Sequence, residues 1–134
     1  MSVKPEEYKN LFATYKKIAI IGLSPKPERD SHKVARYLID QGFQVVGVRP
    51  GCSEILGCAV YPTLADVPGP LEIVDVFRAP EFVPKVASES IRLKAKVLWL
   101  QEGVTNADAE ETARNAGLVV ISDQCIKKIH QSLA

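Results

Sequence analysis

Five short runs of apolar residues, all but the second followed by a stretch with helical spacing, organise this chain. The runs "KIAII", "QVVGV", "EIVDVF", "KVLWL" and "LVVIS" are close to continuously apolar instead of alternating. That is how strands buried on both faces of a parallel sheet read. We predict strands over residues 17–21, 44–48, 72–77, 96–100 and 118–122, with a further short strand at 59–61. Helices are expected at 4–15, 30–41, 80–93, 106–116 and 123–133, and a single helical turn at 63–67. Tyr8, Leu11, Phe12 and Tyr15 share one face of the first helix; Val34, Ala35, Leu38 and Ile39 share one face of the second, which Gly42 ends. Pro80 suits a first helical turn, and Pro84 either belongs to that turn or kinks the helix. Residues 49–57 read as a loop. Asp123 reads as the cap of the last helix, and Trp99 as core.

Strands alternating with helices through short connections predict right-handed crossovers. The expected fold is α/β: a single Rossmann-like, doubly wound, mainly parallel sheet with helices on both faces. At 134 residues, with no internal repeat, low-complexity segment or linker, we expect one domain.

Composition narrows the classes. Charge is balanced, 17 Lys+Arg against 16 Asp+Glu, so no general electrostatic pull toward nucleic acid or an anionic membrane is expected. There is no basic-then-apolar leader and no long apolar run, which points to neither secretion nor a membrane span. Cys52, Cys58 and Cys125 are three in number, with no CxxC pair and no neighbouring His cluster. Neither a disulfide framework nor a zinc site is indicated, and the cytoplasm is the expected compartment. No protein partner is indicated.

In a doubly wound sheet, ligands bind beyond the carboxyl ends of the strands. The first such end carries "GLSPKPERDS", residues 22–31, where a dinucleotide-binding protein has three glycines and this chain has one glycine and two prolines. Gly22 permits a sharp turn, Ser24 supplies a hydroxyl, and helix amides from about Ser31 onward face the crevice, an arrangement suited to phosphate. Arg29 and Lys26 add positive charge, while Asp30 is expected to cap the helix. The second strand ends in Arg49-Pro50, not in the acidic residue that would hold the ribose of NAD. A guanidinium there suits a phosphorylated ribose, of NADP or of coenzyme A. Phe77 and Arg78 end the third of these strands, and Gln101 and Gly103 follow the fourth. Neither His32 nor His130 forms a catalytic set with other residues. Cys125 beside the last helix leaves a thiol-handling role open.

Taken in order, "IAIIGLSPKPERDSHKVARYL", "VVGVRPG", "EILGCAVYPTLADVP", "VDVFRAPE", "AKVLWLQEGV" and "ISDQCIKKIH" resemble the stand-alone CoA-binding domain family. The fold is also similar to the CoA-binding domain of the succinyl-CoA synthetase alpha chain. This resemblance implies a nucleotide–pyrophosphate site made by Gly22, Leu23, Ser24, Pro25, Arg29, Asp30 and Ser31. It implies Arg49 and Pro50 at the second-strand loop, and Phe77, Arg78, Gln101 and Gly103 around the adenosine end and the crevice. The family often has Asn-Pro where this chain has Arg49-Pro50, a change that either strengthens a phosphate contact or obstructs the ligand. It also often reads Asp-Arg-Cys where this chain has Gln124 before Cys125. The expected ligand is coenzyme A or an acyl-CoA, bound without evident catalytic residues. The competing expectations are an NADP-linked oxidoreductase and CoA thiol or disulfide handling through Cys125.

Overall fold

The computed structural model describes residues 3–133. Its elements are α1 (Pro5–Thr14), β1 (Lys17–Ile21), α2 (Asp30–Asp40), β2 (Gln44–Val48), β3 (Glu54–Ile55), β4 (Cys58–Tyr61), β5 (Ile73–Val76), α3 (Val83–Arg92), β6 (Val97–Leu100), α4 (Ala107–Asn115), β7 (Val119–Ile121) and α5 (Ile126–Ser132). Single 3₁₀ turns cover Leu64–Asp66 and Pro80–Phe82. The seven strands form one sheet in the order β3-β4-β2-β1-β5-β6-β7, and all pairs are parallel except β3 with β4. The expected doubly wound architecture is therefore present.

Strand order reverses between β1 and β5, which makes their carboxyl ends the switch point where a crevice opens. Helices cover both faces. Ile18 and Ile20 of β1 lie under α1, α2 and α5 with Val34, Leu38, Trp99 and Ile126, whereas Ala19 and Ile21 belong to the opposite core with Val86, Ala87 and Ala113 of α3 and α4. Burial on both faces is the reason the strands show no alternation. Trp99 is fully buried, as expected, with Tyr8 and Phe12 of α1 at ring-centroid distances of 5.8 and 5.7 Å. Its indole N–H donates to the Gln124 carbonyl at 2.8 Å, tying the start of the α5 connection to the sheet.

Four local expectations are corrected. Residues 49–57 are not wholly loop, because Glu54–Ile55 folds back antiparallel on β4 through Leu56 and Gly57, both with positive φ. Residues 80–93 do not form one helix: a 3₁₀ turn precedes Val83, since Pro84 has no N–H to donate back to the Pro80 carbonyl, which the Val83 N–H takes instead. The last helix begins at Ile126, and Asp123 does not cap it. Asp123 has φ 57°, outside helical geometry, and its carboxylate accepts from the Gly103 N–H at 2.7 Å instead. Asp30 is already the first helical residue, with Arg29 in the cap position and no side chain capping the helix.

Asp75 stands in the middle of β5, paired in register with Ile20 and Trp99, and is fully buried with neither carboxylate oxygen hydrogen-bonded. Burial pushes its carboxyl well above the usual carboxylate range, so folding favours the protonated form. The unfolded chain releases that proton above about pH 4. The native state thus binds the extra proton, and this contribution to stability declines as pH rises. Comparing wild type with Asp75→Asn by urea denaturation between pH 5 and 7, we expect the wild type to lose stability relative to the variant by about 1.4 kcal/mol per pH unit while the folded acid stays protonated. A constant difference would show that Asp75 is ionised in the fold.

Candidate functional site

The first loop of the crevice is built on a backbone contact. Gly22 has φ 87°, and a Cβ placed on it would lie 2.5 Å from the Phe77 carbonyl oxygen. Its N–H donates to Val48 O at 3.0 Å, while Phe77 N–H donates to Ile21 O at 2.9 Å, so the turn is sewn to both neighbouring strands. Leu23 then drops into the core, fully buried, with its side chain against Gly47. The next residue, Ser24, is clasped by the start of α2. Its N–H donates to Ser31 Oγ at 2.9 Å, and His32 Nδ1–H donates to its carbonyl at 2.9 Å. The Ser24 hydroxyl accepts from the Lys26 N–H at 3.1 Å, closing the loop on itself.

This arrangement decides which donors remain for a ligand. The Ser24 amide is consumed, but the Ser24 and Ser31 hydroxyls each accept a bond and keep a proton to donate. The amides of Asp30 and Ser31 make no hydrogen bond among the described residues, and no side chain caps α2. An uncapped helix start with free amides is an anion site in waiting. A cavity of about 480 Å³ lies over it, bordered by Gly22, Ser24, Pro25, Arg29, Asp30 and Ser31. Arg49 and Phe77 complete that wall together with Lys26. Arg49 leans across it, donating from Nη1 to the Leu23 carbonyl at 3.5 Å and from Nε to the Pro50 carbonyl at 3.3 Å.

Two further cavities extend the crevice. One of about 210 Å³ shares Arg49 and is bordered by Pro50 and Arg78. There the Arg78 guanidinium stacks 4.0 Å from the ring centroid of Phe82, an aromatic that is 40% exposed. The other, about 430 Å³, shares Asp30 and Phe77 and is bordered by Gln101, Cys125, Lys127 and Lys128. Gln101 is buried, and its Oε1 accepts from the Ile126 N–H at 3.2 Å, fixing α5 to the end of β6. Leu23 and Gly103 border none of these three cavities: the Leu23 side chain is core, and Gly103 serves as the donor to Asp123.

Sequence reasoning passes over two groups here. His32 reads as a lone histidine, yet it is buried and holds the β1–α2 loop through Ser24. Its position three residues into α2, beside Ser31 and within reach of Ser24, is the signal that marks it. The residues of α5 also reach the crevice, which depends on a packing between α2 and α5 that no local pattern reveals. That packing centres on His130, whose ring lies 5.1, 5.5 and 5.4 Å from the rings of Phe12, Tyr37 and Phe43. The Tyr37 hydroxyl and His130 Nδ1 are hydrogen-bonded at 2.6 Å. Among the described residues no group of His, Cys, Asp and Glu could hold a metal ion, and no helix is long and apolar enough to cross a membrane.

The chain is similar to known proteins over nearly its whole length. A family model described as "CoA binding domain" matches residues 16–131. The Bacillus subtilis protein YneT is 39% identical over 124 residues, covering 92% of each chain. A solved hypothetical protein from Pyrococcus horikoshii superimposes with a TM-score of 0.94 at 36% identity, over 98% of this chain and 93% of that one. An ADP-forming acetate–CoA ligase of Archaeoglobus fulgidus is 25% identical over 129 residues, 89% of this chain but only 19% of the ligase.

Two outcomes follow from the loop and from α5. Gly22→Ala forces a side chain into left-handed backbone and against the Phe77 carbonyl, and should cost about 1–3 kcal/mol in thermal or urea unfolding. Burial, and then the nearby Lys16, hold the His130 imidazole below its ordinary value. The unfolded chain therefore takes up this proton first, so stability present above about pH 6.5 is lost as pH falls through the lowered folded value. His130→Gln keeps a hydrogen-bonding group and should flatten this acid-side loss in melting temperatures measured from pH 7.5 to 5.

Proposed function

The chain belongs to the CoA-binding domain family, and we propose that it holds coenzyme A or an acyl-CoA with the pyrophosphate at the start of α2. The single observation that carries this reading is the uncapped first turn of α2, with the free amides of Asp30 and Ser31 beside the Gly22 turn. A pyrophosphate there accepts from those amides and from the Ser24 and Ser31 hydroxyls, while Arg29 and Lys26 neutralise its charge. The adenosine end lies toward Arg49, Pro50 and Arg78. Arg49 is the natural partner of a ribose phosphate, and the exposed Phe82 ring beside Arg78 offers a face on which an adenine stacks. The pantetheine arm runs the other way, past Phe77 toward Gln101.

The loop geometry supports coenzyme A over a dinucleotide. Three glycines would let a pyrophosphate approach the backbone along the whole turn. Here the Ser24 amide is occupied by Ser31, and the approach is through hydroxyls and the helix start. The acetate–CoA ligase relative is about five times as long as the matched segment, as 19% coverage implies. Its reaction is not carried over, and the proposed role of this chain is binding.

Calorimetric titration with coenzyme A, dephospho-coenzyme A, NADP and NAD tests the reading. Coenzyme A should bind most tightly, and a preference for NADP would overturn it. Replacing Ser24 and Arg29 by Ala together should weaken coenzyme A by about 10- to 100-fold, the loss of one charge-assisted contact and one hydroxyl donor. Arg49→Ala should instead narrow the gap between coenzyme A and its dephospho form.

A further inference from the structure

Along α2, His32, Lys33, Arg36, Tyr37 and Asp40 recur at helical spacing, and with Lys127 of α5 they border a cavity of about 280 Å³ where the two helices meet. Lys33 and Lys127 also reach one cavity of the crevice, but His32 and Arg36 border none of its three. The space is therefore distinct from the one over the start of α2.

Three cations face it without a counter-charge. The ion pairs among the described residues lie elsewhere, at Arg114–Glu110 and Lys128–Glu102. Lys33 and Arg36 stand three residues apart on one helix, a like-charge arrangement that an intervening anion relieves. Lys127 is half-buried, and its ammonium lies 5.8 Å from the Tyr37 ring centroid, over the same wall. Asp40 is the one carboxylate at the cavity, and it pairs with none of the three cations. Positive charge is in excess.

His32 adds a different group. Its ring is 6% exposed and gives the Nδ1 proton to the Ser24 carbonyl at 2.9 Å. In the neutral imidazole that bond leaves Nε2 as an acceptor, and Nε2 makes no hydrogen bond among the described residues. An acceptor set among cations suits an anion that still carries a proton. Hydrogen phosphate is such an anion, whereas sulfate and carboxylates have no proton to give.

We propose that this cavity is a binding site for inorganic phosphate. The P–OH of hydrogen phosphate donates to His32 Nε2, and the remaining oxygens accept from Arg36, Lys33 and Lys127. The Tyr37 hydroxyl takes no part, since His130 already engages it. The His32 ring then stands between the phosphate and the Ser24 carbonyl, so occupancy reaches the β1–α2 loop through two hydrogen bonds in series. The site goes beyond the coenzyme A reading and does not rest on it.

The test titrates the full chain with inorganic phosphate, and separately with sulfate at matched ionic strength. The titrations run at about pH 8, above the ordinary imidazole value. Nitrogen spectra of the imidazoles and amide spectra of α2 follow the binding. Phosphate should saturably shift His32 Nε2 and the amides of Arg36 and Tyr37, and sulfate should bind at least about tenfold more weakly for want of the proton. Arg36→Gln, at an exposed position, should keep the melting temperature and weaken phosphate by about tenfold, the loss of one charge-assisted contact. Equal affinity for sulfate, unchanged affinity in Arg36→Gln, or shifts confined to Asp30 and Ser31 with His32 unmoved would each overturn the site. Failure of coenzyme A to bind in a separate titration would overturn the coenzyme A reading alone.

Discussion

Where β1 leaves the sheet, the backbone of Gly22 passes so close to β5 that no side chain fits between it and the Phe77 carbonyl. That contact lies at the point where strand order reverses, and it sets the path of everything that follows. With the turn held against Val48 on one side and Phe77 on the other, Leu23 is directed into the core and Ser24 is delivered to the start of α2. The crevice is thus a product of main-chain geometry first. Side chains then determine what it accepts.

Polar groups around the turn divide into those that hold it and those left over. Ser31 Oγ and His32 Nδ1 satisfy both backbone groups of Ser24, so the protein's own groups hold the loop's path. The amides of Asp30 and Ser31 and the serine hydroxyl protons are the remainder, all near one cavity. Such preorganisation lowers the ordering cost of binding. At the far end of the crevice Gln101, which borders a second cavity, accepts from the first amide of α5 with its oxygen. Both ends of the crevice are therefore fixed to neighbouring helices by side chains that border its cavities.

Much of the fold is legible in the chain because it rests on local rules. The apolar runs read as two-sided strands, and Gly42 ends α2 with the positive φ that glycine adopts most readily. The errors fall where a long-range partner decides. Asp123 looks like a helix cap from its place before α5, but the Gly103 amide in the loop after the neighbouring strand β6 claims its carboxylate. Asp75 in "VDV" looks like an ordinary strand residue until the register sets it between Ile20 and Trp99. The β1–α2 loop is legible as a strand–loop–helix unit with few glycines. The gathering of three cavities around Arg49, Asp30 and Phe77 is not, because it depends on how α2, α5 and the β5 loop meet in space.

Amide NMR spectra recorded during titration with coenzyme A test the central claim most directly, since the claim concerns particular N–H groups. The account predicts that the amides of Asp30 and Ser31 shift most, with Gly22 and Phe77 following and Gly42, at the opposite end of α2, unmoved. Shifts centred on the β3–β4 hairpin or on the outer face of α2, with Asp30 and Ser31 unchanged at saturation, would contradict it.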